Sequence, residues 1–260
     1  MQAVTPPPVS AVMITWNSAR ILPEVLKALC WCDEVVIVDS GSTDRTLDIA
    51  RAHGCRTLHR DFDGFGTQKG FAVCQARNPW VLVVDADEIV TDELRDEIRR
   101  RLADPGDCRG FEVPISLVFL GRLLRYGGEY KMPHLRLFDK RCGNYNTARV
   151  HEDVVLNGPV GRLSHHMLHD SYGSLHEYFE KFNRYTTAGA RDLLSRGERG
   201  SIAQIIFRLP ITFLKEYVLK RNFLNGYPGF VWSLFSAMYP VVKYAKLREL
   251  RRQQSRQVKI

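Results

Sequence analysis

The sequence predicts an α/β fold: a Rossmann-like, doubly wound, mostly parallel sheet followed by an amphipathic helical extension. Two observations carry the sheet. Short Val- and Ile-rich runs alternate with segments of helical periodicity through the first hundred residues, the pattern of strands joined by crossover helices. One run, Trp80 to Val84, is apolar enough to be buried on both faces, and it leads straight into Asp85-Ala86-Asp87-Glu88. Charge marks the extension. The formal net charge is +8, but Ser201 to Ile260 holds eleven Lys and Arg against Glu216 and Glu249, so residues 1–200 sum to −1. At 260 residues the chain has length for one large domain, or for a domain with an appendage.

Taken in order, Val9 to Ile14 is β-branched and reads as a strand, and Asn17 or Ser18 can cap the helix implied by Ile21, Leu22, Val25, Leu26 and Leu29. Glu34 to Val38 is a second buried strand. It ends at Asp39-Ser40-Gly41-Ser42-Thr43-Asp44, a tight turn into a helix from Arg45 to His53 that Gly54 closes. The start of that helix suits phosphate or another anion. Cys55 to His59 is a short third strand, 62–66 a loop, and Thr67 to Ala76 a helix feeding the strand at Trp80. Asp92 to Leu102 has acids at its start and arginines at its end, which matches the helix dipole and assigns that charge to structure.

Beyond Pro105-Gly106, Phe111 to Leu120 and Leu135 to Phe138 are strand-like, 122–130 is basic and broken by glycine, and Ser174 to Leu194 is a one-sided apolar helix. The six cysteines are scattered and fit no zinc spacing. Met1 to Ser10 carries three prolines and no basic stretch, so no signal peptide and reduced thiols in the cytosol are expected.

The carboxylates carry the chemistry. Asp85 and Asp87 emerge at the carboxyl end of a buried strand, where open α/β sheets place their ligands, and residues two apart point the same way. Crowded carboxylates suit a hard divalent cation that also holds phosphate. An acidic helix start is the plainer reading, and it fits Thr91, Asp92 and Glu93 better than Asp85. Asp39 also ends a strand, so a doubly wound sheet would bring it to the same rim. Glu152 and Asp153 are adjacent, so a strand would turn only one of them to a site. His151 reads as an orienting or structural histidine. His165, His166 and His169 have no cysteine pattern to make a zinc site, and suit a loop that meets an acceptor.

Thr15-Trp16-Asn17, Asp39 to Asp44, Asp85 to Glu88 and Val150-His151-Glu152 occur in order and at spacings that resemble family 2 glycosyltransferases of the GT-A fold. More narrowly they resemble the bacterial branch that adds glucose to the lipopolysaccharide inner core, the heptose β-1,4-glucosyltransferase type. The resemblance covers about residues 9–195. It implies a nucleotide-sugar-binding half over 9–104, an acceptor half over 105–195 and an extension over 196–260. It also implies that Asp39 contacts the base or ribose of a nucleotide sugar, that Asp85 lies near the ribose, and that Asp87 binds Mn²⁺ or Mg²⁺ on the diphosphate. Gln68 and Lys69 would meet the nucleotide or its phosphates, with Thr15 and Asn17 on the same rim. Glu152 would be the base, with Asp153 as the alternative. Asn17 departs from the family, many members of which carry Glu there, so a nucleotide contact made by that carboxylate would be altered. The donor implied is UDP-glucose, and the acceptor a lipid-anchored saccharide of the lipopolysaccharide core.

The extension mixes apolar and basic residues, and Pro210 is expected to break or kink it. Phe223 to Val242 is the longest uncharged stretch, but its glycines and prolines argue against a spanning helix. Tyr217, Tyr227, Trp232, Tyr239 and Tyr244, with Arg248, Arg251, Arg252, Arg256 and Lys259, point to a membrane surface contacted through 201–260. The expected location is the cytoplasm, at the inner face of the cytoplasmic membrane. A packed or oligomer-forming helical appendage is the alternative for this segment. A sequence pI near 9.3 raises nucleic-acid binding as a rival, but the cations are interleaved with long aliphatics and the globular part is slightly acidic, so no nucleic-acid partner is expected. A dinucleotide oxidoreductase lacks its G-x-G-x-x-G after Ile14. A non-catalytic protein that kept the fold is a further alternative.

Overall fold

β1 (Val9–Thr15) is the axis of the sheet. It pairs in parallel with β2 (Glu34–Asp39) on one side and with β4 (Trp80–Val83) on the other. The structure, a computed structural model, describes residues 6–146 and 153–257. β3 (Arg56–His59) extends the parallel half beyond β2, giving the order β3-β2-β1-β4. The helices between these strands are α1 (Leu22–Ala28), α2 (Thr46–Ala52) and α3 (Phe65–Gln75). Val12, Val36, Val38, Val81 and Val83 pack one face of the sheet against Ala72 and Val73 of α3. Val9, Ala11, Met13, Ile37 and Leu82 pack the other against α1 and Ala50 of α2. Both faces are covered, which is why these strands are nearly continuous apolar runs.

Beyond β4 the sheet becomes mixed. β8 (Met132–Asp139) runs antiparallel to β4 and to β6 (Gly110–Phe119), whose other side takes β12 (Met167–His169) in parallel. β5 (Glu88–Val90) closes this edge antiparallel to β12. The sequence pattern does not predict β5, because three residues are too short for a period. It turns Asp85-Ala86-Asp87 into a link between two strands. α4 (Asp92–Ala103) follows, with the Thr91 hydroxyl accepting from the Leu94 amide as its N-cap. A short pair, β9 (Gly143–Tyr145) and β10 (Val154–Leu156), stands apart from the main sheet, and β11 (Val160–Arg162) runs parallel to β6.

Two compact units divide the chain: residues 1–117 with 131–171, and residues 118–130 with 172–260. This division differs from the expected boundary at 195/196. α5 (Leu175–Ser195) buries Tyr178, Phe182, Thr186 and Ala190, a stripe with a period of four. That stripe packs on α7 (Tyr227–Gln257): Tyr178 lies 4.9 Å from Phe235 between ring centroids, and Ala190 clusters with Tyr244 and Leu247. The second unit also holds β7 (Arg122–Leu123), which forms a hairpin with the end of β6, and α6 (Ile202–Leu214).

The run is not broken at Pro210. α6 runs through Pro210 and only then widens into a π-helical turn, Lys215–Leu219, while α7 runs through Pro240. Proline's fixed φ is close to that of a helix, so each loses a single backbone bond, and packing along α5 offsets the loss in α7. Among the described residues no helix is long and apolar enough to cross a membrane.

Candidate active site

The site forms in the first unit, at the carboxyl ends of β1, β2 and β4, where the strand order reverses between β1 and its two neighbours. Thr15 and Asp39 are register partners at those ends. The Thr15 hydroxyl donates to Asp39 Oδ1 at 2.7 Å, as does the Ser42 hydroxyl, while the Gly41 and Ser42 amides donate to Oδ2 at 2.9 and 2.8 Å. Burial would raise the Asp39 carboxyl, but these four donors hold it below the usual carboxylate range. Asp39 therefore shapes the turn to which it belongs. Gly41, at φ +92°, supplies the left-handed residue that brings two successive amides round to one oxygen.

Asn17 does not cap α1, whose N-cap is Ile21 with no side-chain bond. It sits at φ 49°, and its Oδ1 accepts from the Thr43 amide at 2.8 Å while its own amide donates to Ser42 Oγ. Ser18 N to Thr46 Oγ1 and Ala19 N to Asp44 Oδ2 complete a seam between the loops after β1 and β2. A neutral amide thus performs this stitching. Trp16, between Thr15 and Asn17, stands 60% exposed on this rim.

Gln68 is fully buried in α3. Its Nε2 donates to Ser40 Oγ and to the Arg60 carbonyl, and its Oε1 accepts from Arg60 Nε. Lys69, next in the helix, reaches Asp85 Oδ1 at 2.9 Å. Asp85 Oδ2 is bound by Arg136 of β8 at 2.7 Å, and the same Arg136 nitrogen bonds Glu88 Oε1 at 2.8 Å. Glu88 Oε2 in turn accepts the Asp85 amide at 2.9 Å. Burial would raise the Asp85 carboxyl, but Arg136 and Lys69 outweigh it and keep it well below the ordinary value. Burial, with Asp85 close by, pushes Glu88 up against the pull of Arg136.

Asp87 meets different partners. The Ser171 hydroxyl donates to its Oδ2 at 3.2 Å, and His169 Nε2 lies 3.4 Å from its Oδ1. Burial would lower the His169 imidazole, but bonding to Asp87 and the charges of Asp87, Glu88 and Asp85 raise it. β12 brings His169 here by pairing with Glu88 in register. Among the described residues no cluster of three His, Cys, Asp or Glu could hold a metal by itself.

The site thus unites Thr15, Asn17, Asp39, Gln68, Lys69, Asp85 and Asp87. Glu152 and His151 lie outside the described residues. Asp153 is exposed, and its carbonyl accepts from the Asn146 amide at 3.0 Å. Next to Asn146, the Tyr145 ring lies 5.9 Å from Lys69 Nζ, so the root of the β9–β10 hairpin comes near the Asp85 cluster. His165 and His166 go elsewhere: His165 Nδ1 bonds Glu97 at 2.8 Å and His166 Nδ1 bonds Ser116 Oγ at 3.0 Å.

Arg136, Glu88 and Ser171 were given no role from sequence, and His169 only a general one. A signal for Arg136 was present. Leu137 and Phe138 are adjacent and both apolar, which breaks the alternation and suggests that both faces of the strand, Arg136 included, are covered.

The profile of glycosyl transferase family 2 matches residues 10–115. The lipopolysaccharide core biosynthesis glycosyltransferase LpsC of Rhizobium meliloti is 30% identical, over 92% of this chain and 92% of its own. The uncharacterized glycosyltransferase RT0209 of Rickettsia typhi is 32% identical, over 93% of this chain and 87% of its own. A crystal structure of glucosyl-3-phosphoglycerate synthase from Mycobacterium tuberculosis with Mn²⁺ and UDP-glucose is similar at a TM-score of 0.37 and 20% identity, covering 42% of this chain and 44% of that one, an overlap too partial to transfer a ligand. By relatives that match it over nearly its whole length, the chain belongs to glycosyl transferase family 2 and is a glycosyltransferase.

Proposed function

We propose that this glycosyltransferase is inverting and metal-dependent, and that it moves glucose from UDP-glucose to a saccharide of the lipid-anchored lipopolysaccharide core. It would act at the inner face of the cytoplasmic membrane, which it would reach through 201–260. One observation carries the reading: the two aspartates of Asp85-Ala86-Asp87 lie at one rim in opposite settings, Asp85 bound by Lys69 and Arg136, Asp87 beside an imidazole and a hydroxyl.

Asp87 and His169 are the residues that would hold a divalent cation beside the diphosphate of the donor. Such an ion supplies positive charge to the departing diphosphate. The other roles fall to side chains of this chain. Trp16 offers a flat face to the nucleobase. Asp85, kept ionised by its two cations, is set to accept from the ribose hydroxyls. Lys69 is the nearby positive charge that a phosphate could share with Asp85. Glu152 takes the proton of the acceptor hydroxyl as that oxygen bonds the anomeric carbon and the bond to the diphosphate breaks, with Asp153 as the alternative. Support for this assignment comes from the hairpin root, where the Tyr145 ring lies 5.9 Å from Lys69 Nζ. LpsC, with its role in lipopolysaccharide core biosynthesis, supports a saccharide acceptor.

The test is calorimetric binding of UDP, GDP, ADP and dTDP, with and without Mn²⁺. UDP is expected to bind only with the metal, and Asp87→Ala and His169→Ala are each expected to weaken that binding by about tenfold or more. Folded protein that binds none of the four with metal present would sink the reading.

A further inference from the structure

The second unit exposes an apolar surface on α6 and the two turns that follow it. Phe207, Ile211, Leu214 and Val218 are spaced by four, three and four residues, the period of one helical face. Leu219 and Leu224, in the two turns that follow, are exposed as well, and these six side chains are between 48% and 76% exposed. The inner side of the same segment is packed. Phe213 stacks on Tyr217 with centroids 5.2 Å apart, and both meet Phe230 of α7 edge-on. The outward row is therefore not a core lacking its lid.

The turn beneath this row is held by buried amides. Asn222 Nδ2 donates to Ser233 Oγ at 3.0 Å, and Asn225 Nδ2 donates to Asn222 Oδ1 and to the Tyr126 carbonyl. Asn225 Oδ1 accepts the Arg125 amide at 2.9 Å. Asn222 is fully buried, and the residue before it, Arg221, is held at φ 57°. These bonds hold the turn that carries Leu224. A group of exposed large apolar side chains marks a docking surface.

We propose that this row, rather than the tyrosines and arginines of α7, is the face that enters an anionic lipid surface. The proposal deepens the reading of 201–260 as a membrane-interface segment and rests on it. Charge selects the occupant. Lys215 and Arg221 flank the row and are exposed, and Glu216, the sole carboxylate between 201 and 230, is paired with Lys220 at 2.8 Å. A second copy docked about a twofold axis would bring these like charges together, whereas anionic headgroups pair with them.

Of the α7 residues first expected at the membrane, Trp232, Tyr244, Arg248 and Arg251 are engaged inside the unit, whereas Tyr227 and Arg252 are exposed. Trp232 packs on Phe119 at 5.1 Å, Tyr244 is buried, and Lys246 donates to Asn183, Thr186 and Thr187 of α5. Arg248 and Arg251 bond the carbonyls of Gly200 and Glu198. With no crossing helix among the described residues, α6 would lie in the plane of the interface.

The experiment is flotation of the full-length protein with vesicles of phosphatidylethanolamine containing phosphatidylglycerol, and with vesicles of phosphatidylcholine alone. The variants are Phe207→Asp, Leu219→Asp, Leu224→Asp and the pair Lys215→Gln/Arg221→Gln. Circular dichroism verifies folding, and light scattering gives the oligomeric state. Wild type is expected to float with the anionic vesicles. Each aspartate variant is expected to lose about tenfold or more in partitioning, and the Gln pair to lose the preference for phosphatidylglycerol. Folded aspartate variants that float like wild type would leave membrane association standing and overturn this face. A wild-type dimer that the aspartates make monomeric, with vesicle binding unaltered, would assign the face to a second copy and overturn the lipid proposal. Nucleotide calorimetry on the same samples separates the two readings. UDP binding without flotation overturns only the membrane face, and flotation without nucleotide binding overturns only the proposed activity.

Discussion

Asp85 and Asp87 are separated by one residue and do different work, because each meets what other strands deliver. β8 brings Arg136 and α3 brings Lys69 to Asp85, while β12 brings His169 to Asp87. The ordered acids were legible along the chain, whereas their division of labour was not, since Arg136 and His169 lie 51 and 82 residues from their partners by number. The buried Arg136–Glu88 pair makes a stability prediction. Glu88→Ala would leave the guanidinium, already with its Nε unbonded, with Asp85 as its remaining carboxylate. Breaking such a pair costs about 3–5 kcal/mol, measurable as a lower midpoint in urea unfolding. An unchanged midpoint would show that Asp85 alone balances the arginine. Gln68 and Asp39 carry a related lesson: both stand at the rim as expected, and both have side-chain bonds filled by the loops they hold.

At the scale of elements, α4 illustrates how a helix fixes a distant loop. Glu97 accepts the Ser164 and His165 amides at 2.9 Å and His165 Nδ1 at 2.8 Å, just before β12 begins. That loop sets where His169 arrives. Burial would raise the Glu97 carboxyl, but these donors depress it. A depressed folded value contributes stability above the unfolded value of about 4.3, and that contribution is lost as pH falls through the folded value. Glu97→Gln is therefore expected to be less stable than wild type by about 1–3 kcal/mol at neutral pH, with the gap narrowing as the carboxylate of the wild type protonates. Urea titrations at neutral and acidic pH check the sign. A gap that widens in acid would contradict it. The strands and helices of the parallel half were legible within about two residues, because burial on both faces makes each strand an apolar run. β5 was not, because its pairing with β12 exists only after both have been placed.

For the whole molecule, the asymmetry of charge along the chain makes a prediction. The first 200 residues sum to −1 and the last sixty to +9, so raising salt is expected to weaken vesicle binding several-fold while an apolar remainder persists. Flotation across a salt series measures this, and a salt-independent affinity would remove the electrostatic part of the membrane proposal. By itself the sequence determined the α/β class, the parallel half-sheet, the family and the run of carboxylates at strand ends. Each of these is written in local periodicity or in residues that stay close along the chain. The tertiary structure alone decided that Lys69 and Arg136 neutralise Asp85, that His169 stands beside Asp87, that α5 belongs with the helices after it, and that α6 rather than α7 presents its apolar side outward. Those outcomes depend on which surfaces are left over once the strands have paired and the helices have packed, and no local pattern records that remainder.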